Sequence, residues 1–248
     1  MPFIDFNCDL GEGMGNDEAI MPFISSANIA CGFHAGDEDT MKRTVELCLQ
    51  YKVAFGAHPS YPDKENFGRT NMNLPAGEIY SIVKQQIQSI SKMATSFGKK
   101  LQHVKPHGAL YNMAAKDISI ATAIADAIKD FDKSLLFYGS PNSEMEKAST
   151  AYGIKFIGEA FADRTYQPDG SLTPRTLSNA LIEEEAKAIQ QVMQIIKTKT
   201  VSCINGSIIP LQAETICIHG DGKNAVQFAQ SLHQHLINEG ISIHSFNR

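Results

Sequence analysis

The stretch FIDFNCDLGEG, residues 3–13, contains the pattern that decides the fold of this 248-residue chain. Its first six residues form a short run of strand-forming character, and acidic and glycine residues follow at once. Similar runs recur at 28–33, 53–57, 101–105, 135–138, 155–160 and 215–219, and a brief run at 241–244 ends the series. Longer segments with helical spacing separate these runs. Strands that alternate with helices predict an α/β fold, a parallel sheet with crossover helices.

The segments between the runs have the apolar spacing of helices that pack on a sheet. Met41, Val45 and Cys48 fall on one helical face, and residues 79–97 carry a second apolar face. Glycine is the residue that most often ends a helix, because it adopts positive φ without strain. Such glycines stand just before the next strand-like run at Gly98, Gly153 and Gly240.

Two stretches break the alternation of strands and helices. Residues 59–73 are too long and too polar for a minimal connection, which predicts a lid or binding loop. Within residues 201–211, Asn205 and Gly206 predict a two-residue hairpin turn in which both residues have positive φ. We find no repeat, low-complexity tract or linker. We therefore expect residues 1–248 to form a single α/β-barrel domain with a long loop and an inserted hairpin.

Composition excludes several classes of protein. The chain has 22 basic and 27 acidic residues and a net charge of −5, which disfavours a nucleic-acid-binding surface. Neither a secretory signal nor an apolar stretch of membrane-spanning length is present, so we expect a cytoplasmic protein with no membrane partner. The five cysteines are scattered without a CxxC pair, which favours buried thiols over a zinc or redox site.

Residues with chemical capacity follow directly after the predicted strands. In an α/β barrel the carboxyl ends of all strands meet at one rim, where active sites assemble from distant segments. Helix capping does not require histidines, a lysine, an arginine and acids to collect on one side, so their joint placement indicates an active site. The candidates are Asp9, Gly11, Glu12, Gly13, His34, Gly36, Asp37, His58, Lys105, His107, Glu159, Asp163, Arg164, His219, Gly220 and Asp221.

Each of these residues taken alone has a simpler explanation. A single histidine at a strand end is often a structural hydrogen-bonding residue. Asp37 precedes a helix that its side chain would cap, and Asp221 stands in the same relation to a later helix. His103 alternates with Lys105 along a strand, so it faces the interior either as a packing residue or as part of the site.

Seven segments together resemble the lactam-utilisation family, also called LamB/YcsF and associated with the A subunit of 5-oxoprolinase. They lie in order and nearly end to end, which is far more specific than any short motif. The segments are NCDLGEG from residue 7, NIACGFHAGD from 28, GAHPSYPD from 56, FGR from 67, VKPHGALYN from 104, EAFADRTY from 159 and CIHGD from 217. One departure is Thr70, where the family pattern leads us to expect a second arginine after FGR.

The resemblance implies both a fold and an activity. The fold is a seven-stranded, TIM-barrel-like (β/α) barrel, related to glycoside hydrolase and deacetylase-like barrels. The activity is hydrolysis of a cyclic amide, the ATP-dependent opening of 5-oxoproline to L-glutamate, carried out with partner subunits B and C. ATP would be a co-substrate of the complex. This chain has no GxxxxGK[ST] phosphate-binding loop, which is compatible with another chain holding the nucleotide, and the sequence leaves open which subunit binds ATP.

Such a reaction needs a group that accepts a proton from water and a cation near the developing negative charge. It also needs a guanidinium group that binds the substrate carboxylate through two parallel hydrogen bonds. Spacing alone does not assign these roles individually. We expect Asp9 as the principal acid/base residue and Lys105 as an electrostatic stabiliser. The further catalytic candidates are Glu12, His34, His58 and His107. The substrate-binding candidates are Gly11, Arg69, Glu159, Asp163, Arg164, His219 and Asp221.

Two rival hypotheses remain open from the sequence. In the first, the chain is a metal-dependent hydrolase or deacetylase acting on a C–N bond, with Asp9, His34 and His58 as ligands of a divalent metal. In the second, the chain is a non-catalytic subunit that binds the lactam and presents it to its partners. The number of ionisable residues at the rim favours catalysis, since binding a small lactam needs fewer of them.

Overall fold

The structure, a computed structural model, describes residues 2–220, 222 and 225–246 of the chain. Ten strands lie in this part of the chain. They are β1 (Phe3–Leu10), β2 (Ser26–Ala30), β3 (Ala54–His58), β4 (His103–Val104), β5 (Leu136–Gly139), β6 (Phe156–Phe161), β7 (Thr200–Ser202), β8 (Ile208–Pro210), β9 (Thr215–His219) and β10 (Ser242–Ile243).

Seven of the strands form a closed parallel barrel. Strands β1 to β6 pair in chain order, β6 then pairs with β9, and β9 pairs with β1 to complete the ring. In the closing pairs, Glu159 lies opposite Thr215 and Asp9 lies opposite His219. The predicted seven-stranded (β/α) barrel is therefore confirmed. Strand β10 pairs with the first residues of β1, as a short extension of the sheet.

Helices pack around the barrel between successive strands. They are α1 (Asp17–Ile20), α2 (Glu38–Tyr51), α3 (Ala76–Ser96), α4 (Gly108–Ala114), α5 (Ile118–Asp132), α6 (Glu144–Tyr152), α7 (Glu185–Thr198) and α8 (Ala225–Asn238). Within the described residues, none of these helices is both long enough and apolar enough to cross a membrane.

The helix signals read from the sequence are present in the structure. The Asp37 carboxylate caps α2 by accepting a hydrogen bond from the Thr40 backbone N–H. Gly98 and Gly153 adopt positive φ after α3 and α6, as predicted. On the apolar face of α3, Ile79, Val83, Ile87 and Ile90 are buried, and burying each such side chain contributes about 1.5–3 kcal/mol relative to an exposed one.

The hairpin formed by β7 and β8 is antiparallel, with Val201 opposite Ile209. The predicted two-residue turn is wrong, because only Gly206 has positive φ and residues 203–207 all belong to the connection. Asn205 instead accepts a hydrogen bond from the Ser207 backbone N–H through its side chain. A side chain that bonds to the backbone two residues later stabilises a turn without positive φ at the first position.

The interior of the barrel is polar. Successive residues of a strand point to opposite faces, so Asp5, Asn7 and Asp9 of β1 all point inward. Asp5 accepts hydrogen bonds from Tyr138 and Thr215, and Asn7 donates to Glu159 and Thr215. α/β barrels are usually filled with branched apolar residues, whereas this interior is a hydrogen-bonded column. The column leads to the carboxyl ends of the strands.

Candidate active site

Lys105 lies at the centre of the candidate site, directly after β4. Its ammonium nitrogen is 2.8 Å from Asp9 Oδ1, 2.8 Å from Glu159 Oε1 and 3.2 Å from Asn7 Oδ1. Burial by itself lowers the pKa of Lys105, but the nearby Asp9, Cys217 and Glu159 outweigh it and raise that pKa well above its usual value. Lys105 is therefore a buried, permanent positive charge held between two carboxylates.

The two oxygens of Asp9 have different surroundings. Oδ1 accepts hydrogen bonds from Lys105 and from Asn28 Nδ2, at 2.8 Å each. Oδ2 lies 3.3 Å from His58 Nε2. Burial opposes the charged form of Asp9, but His58 and Lys105 lower the pKa of Asp9 well below its usual value. Asp9 is thus a carboxylate at neutral pH, and Oδ2 is the oxygen available to take part in proton transfer.

Asn28 and His103 fix the orientation of Asp9. Burial lowers the pKa of His103 to about 3, so its ring is neutral at neutral pH. His103 Nε2 lies 2.7 Å from Asn28 Oδ1 and donates to it, which turns the Asn28 amide nitrogen towards Asp9 and Asn7. His103 therefore belongs to the polar network of the site and does not merely fill space, which the sequence left open.

His58 and His107 face each other across a short distance. His58 Nδ1 lies 2.7 Å from the Lys105 carbonyl oxygen and His107 Nε2 lies 2.9 Å from the Phe67 carbonyl oxygen, so both nitrogens must be donors. The remaining nitrogens, His58 Nε2 and His107 Nδ1, are 2.9 Å apart. Two lone pairs repel each other at this distance. A proton on one ring, or a cation bound by both, must therefore stabilise the pair.

His34 and Glu12 complete a cluster around this pair. The His34 ring stacks on His107 with 3.8 Å between centroids, and His34 Nε2 lies 3.2 Å from Glu12 Oε1. Ligand atoms of Glu12, His34, His58 and His107 all lie within 4.8 Å of one another, and all four residues are buried. Burial, aided by the neighbouring rings, lowers the pKa of His34 and of His107 well below the usual value.

The donor set of this cluster fits a divalent metal such as Zn²⁺, which binds neutral imidazoles and carboxylates. The backbone carbonyls that orient His58 and His107 supply the supporting hydrogen bonds typical of ligating histidines, whereas His34 Nδ1 has no partner among the described residues. Two predicted ligands, His34 and His58, belong to this cluster. The third, Asp9, lies beside it in the Lys105 network, so a metal site made of the predicted three stays a prediction.

A cavity of about 630 Å³ lies over the site. The buried part of its lining includes catalytic candidates from the ends of three strands: Asp9 of β1, His58 of β3, and Lys105 and His107 after β4. Its wall carries Tyr111, Phe161 and His219. The predicted residues that line it are Asp9, His58, Arg69, Lys105, His107, Arg164 and His219.

Other predicted residues lie outside the lining of this cavity. Gly11 donates its backbone N–H to Asp17, and Glu159 lies against Lys105 inside the barrel. Asp163 accepts a hydrogen bond from His219 Nδ1 at 2.8 Å, so it orients a residue that does line the cavity. Asp221, predicted to bind substrate or to cap a helix, lies outside the described residues.

The end of the 59–73 loop packs against the histidine cluster. A Cβ atom on Gly68 would lie 2.8 Å from His34 Cβ and 3.0 Å from His107 Cδ2, and Gly68 has a φ of +67°. Only glycine fits both the space and the backbone conformation. Thr70, where a second arginine was expected, is exposed and donates its backbone N–H to Asp63 Oδ2.

Fold and site together define a class of protein: a closed α/β barrel with buried acids, histidines and a lysine at the carboxyl ends of its strands, beneath a ligand-sized cavity. Comparison with known families agrees. The model of the LamB/YcsF family matches residues 4–248, and the chain belongs to that family.

Relatives cover the chain at full length. The 5-oxoprolinase A subunit of Bacillus cereus (strain AH187) is 53% identical over 249 residues, 98% of each chain. The crystal structure of the lactam utilization protein from Thermus thermophilus superposes with a TM-score of 0.92 at 36% identity, covering 98% of this chain and 100% of that one. The catalytic domain of a peptidoglycan N-acetylglucosamine deacetylase from Eubacterium rectale ATCC 33656 shares the fold alone, with a TM-score of 0.52 at 10% identity over 99% and 88% of the two chains.

Proposed function

We propose that this chain is the A subunit of a cytoplasmic 5-oxoprolinase, which opens 5-oxoproline to L-glutamate with hydrolysis of ATP and acts with subunits B and C. Family membership and the full-length similarity to proteins named as the A subunit of 5-oxoprolinase support the proposal. The observation that carries it is the Asp9–Lys105 pair with a contact of 2.8 Å, which lies at the wall of a cavity beside His58.

The pair supplies the charges that lactam opening requires. A five-membered lactam is stabilised by resonance, so its hydrolysis needs activation, and transfer of the terminal phosphoryl group of ATP to the amide oxygen, with release of ADP, makes the ring carbon more electrophilic. Asp9 Oδ2, the oxygen not bound by Lys105, accepts a proton from the water that attacks this carbon. Lys105 stabilises the negative charge on the phosphorylated oxygen. His58, next to Oδ2, passes the proton to the ring nitrogen as the C–N bond breaks, and the acyl phosphate that remains is hydrolysed to L-glutamate and phosphate.

The substrate carboxylate needs a cationic partner on the cavity wall. Arg164 and Arg69 line the cavity and have the planar guanidinium group that binds a carboxylate through two parallel hydrogen bonds. In this arrangement the lactam ring lies between an arginine and Lys105.

A second candidate function, a metal-dependent hydrolase acting on a C–N bond, is favoured by the facing nitrogens of His58 and His107. Glu12, His34, His58 and His107 would hold the ion. Such an ion, when bound, polarises a carbonyl and lowers the pKa of bound water. Asp9, beside His58, would then orient the water and take its proton. The two candidate functions therefore use many of the same residues. They differ in whether phosphorylation by ATP or a bound metal ion activates the C–N bond.

The test is to measure glutamate and ADP formation from 5-oxoproline with this chain alone, with candidate subunits B and C alone, and with all three. We expect both products only when all three are present. Equal glutamate formation by B and C without this chain would contradict the proposal. Glutamate formation by this chain with a divalent metal and no ATP would establish the second candidate instead.

A further inference from the structure

The cavity lining carries an excess of positive charge. Besides the neutralised Asp9 and Lys105, the charged residues that line it are Arg69, Lys116, Asp117, Arg164 and Arg175. Four of these five are cations. The one acid, Asp117, uses its carboxylate to cap α5, where it accepts hydrogen bonds from the Ser119 and Ile120 backbone N–H groups. A concave surface of this kind raises the local concentration of anions.

Arg164 is buried in this wall and is oriented by the backbone. Its Nη2 donates to the Thr173 carbonyl at 2.6 Å and its Nε donates to the Ala180 carbonyl at 3.3 Å. These bonds hold the irregular segment 162–184 over the cavity. The third nitrogen, Nη1, makes no hydrogen bond to the part of the chain that the structure describes. Because Arg164 lines the cavity, this donor is available to a ligand there.

Arg175 belongs to the same segment and lines the same cavity, but its side chain is exposed. Burial and the like charge of Arg175 lower the pKa of Arg164 to about 10, although Asp163 acts in the opposite direction. Arg164 therefore stays charged at neutral pH, and its guanidinium group and that of Arg175 repel each other. An anion bound by both removes this repulsion and satisfies the remaining donor of Arg164.

The cavity has room for such an anion away from the reacting centre. Its volume of about 630 Å³ is in the range that holds drug-sized ligands, and a small lactam at Lys105 fills only part of it. The segment 162–184 lies after β6, whereas Lys105 lies after β4, so the two positions belong to different parts of the rim.

We propose that Arg164 and Arg175 form an anion subsite on the exposed side of the cavity, which binds a carboxylate or phosphoryl oxyanion of the ligand while the reacting bond lies at Asp9 and Lys105. The subsite makes Arg175 a specificity-determining residue that selects charged ligands over neutral ones of the same ring. The choice of a lactam acid as its ligand rests on the proposed function.

The test compares Arg175→Gln with Arg43→Gln in the full-length chain. Arg43 is exposed on α2, on the outside of the barrel, and its replacement removes the same charge away from the cavity. Titration calorimetry at low salt would measure binding of 5-oxoproline, of 2-pyrrolidinone, which has the same ring without the carboxylate, and of inorganic phosphate. Arg175 is exposed, so neither substitution disturbs the core.

We expect Arg175→Gln to weaken binding of 5-oxoproline or phosphate by about tenfold or more, whereas Arg43→Gln leaves it unchanged. Binding of 5-oxoproline without phosphate identifies a carboxylate subsite, and binding of both extends it to phosphoryl groups. Equal affinities for the two variants, no binding of either anion, or equal binding of 2-pyrrolidinone and 5-oxoproline would overturn the inference. The proposed function is judged separately by product formation. If 5-oxoproline binds in an Arg175-dependent way but the complete complex forms no glutamate, only the proposed function is contradicted.

Discussion

Replacing Lys105 by methionine would remove the ammonium group that lies 2.8 Å from an oxygen of Asp9 and 2.8 Å from an oxygen of Glu159. Methionine has a similar length and is apolar, so it fills the space without a charge. Both carboxylates are buried and would be left without their cation. We therefore expect a large loss of stability.

The magnitude follows from the burial of the network. Removing one partner of a buried ion pair costs about 3–5 kcal/mol, a large part of the 5–15 kcal/mol by which a typical domain is stable. For a chain of this size each kcal/mol lowers Tm by about 2–4 °C, so the expected decrease is roughly 6–20 °C. Adding Glu159→Gln to Lys105→Met should restore part of the loss, because it removes one of the uncompensated charges.

The loss should also depend on pH. In the wild type the folded-state pKa of Asp9 is lowered, so its contribution to stability is present above the unfolded value near 4 and lost as pH falls. In Lys105→Met, buried carboxylates without a cation have raised pKa values, and their cost appears as pH rises. The difference between wild type and variant should therefore be larger at pH 8 than at pH 5.

Thermal and urea unfolding, followed by circular dichroism at both pH values, would measure these effects. Lys84→Met is the matched control, since Lys84 lies 3.5 Å from Asp130 in a partly exposed pair that solvent screens. A Lys105→Met variant as stable as Lys84→Met, or a loss equal at pH 5 and pH 8, would refute the reasoning.

Two further predictions concern the cluster and the barrel. The wild type should retain about one equivalent of Zn²⁺ after dialysis, and Glu12→Gln should bind Zn²⁺ at least about tenfold more weakly. The surface variant Glu46→Gln should bind Zn²⁺ as the wild type does. Equal metal content by mass spectrometry in both variants would count against a metal-binding cluster. Gly56→Ala should lower Tm, because the added Cβ would lie 2.3 Å from the His103 carbonyl oxygen. Gly77→Ala, at the start of α3, has open space around its Cβ and should be neutral or stabilising by about 0.5–1 kcal/mol. The opposite order of melting temperatures would be inconsistent with this packing of the barrel interior.

Local patterns in the sequence were sufficient to predict a parallel sheet with crossover helices, whereas its closure into a seven-stranded barrel was implied by the family resemblance. The strand-like runs are short and bounded by glycine and polar residues, and the helical faces are regular, so both can be recognised without tertiary information. The expectation that residues after different strands meet at one rim also needs only the parallel arrangement. The structure accordingly brings Asp9, His58, Lys105 and His107 to one cavity.

The contacts within the site could not be predicted in the same way. Asn28 and His103 hold Asp9 through bonds that depend on the register between neighbouring strands, and a change of one residue would turn them to the other face. Arg175 lies in the irregular segment 162–184, where no periodic pattern places it near the rim. In the sequence, the one indication of a role for Arg175 was that it is an arginine close to the Asp163–Arg164 pair.

Asp9 is proposed to perform the chemistry, and the most direct test is product formation by a reconstituted complex that contains Asp9→Asn. Asparagine keeps the shape and the hydrogen bond from Lys105 at Oδ1 but cannot take a proton from water. We expect that the complex assembles, as judged by size-exclusion chromatography, and no longer forms glutamate from 5-oxoproline. An assembled Asp9→Asn complex with wild-type turnover would contradict the catalytic role of Asp9.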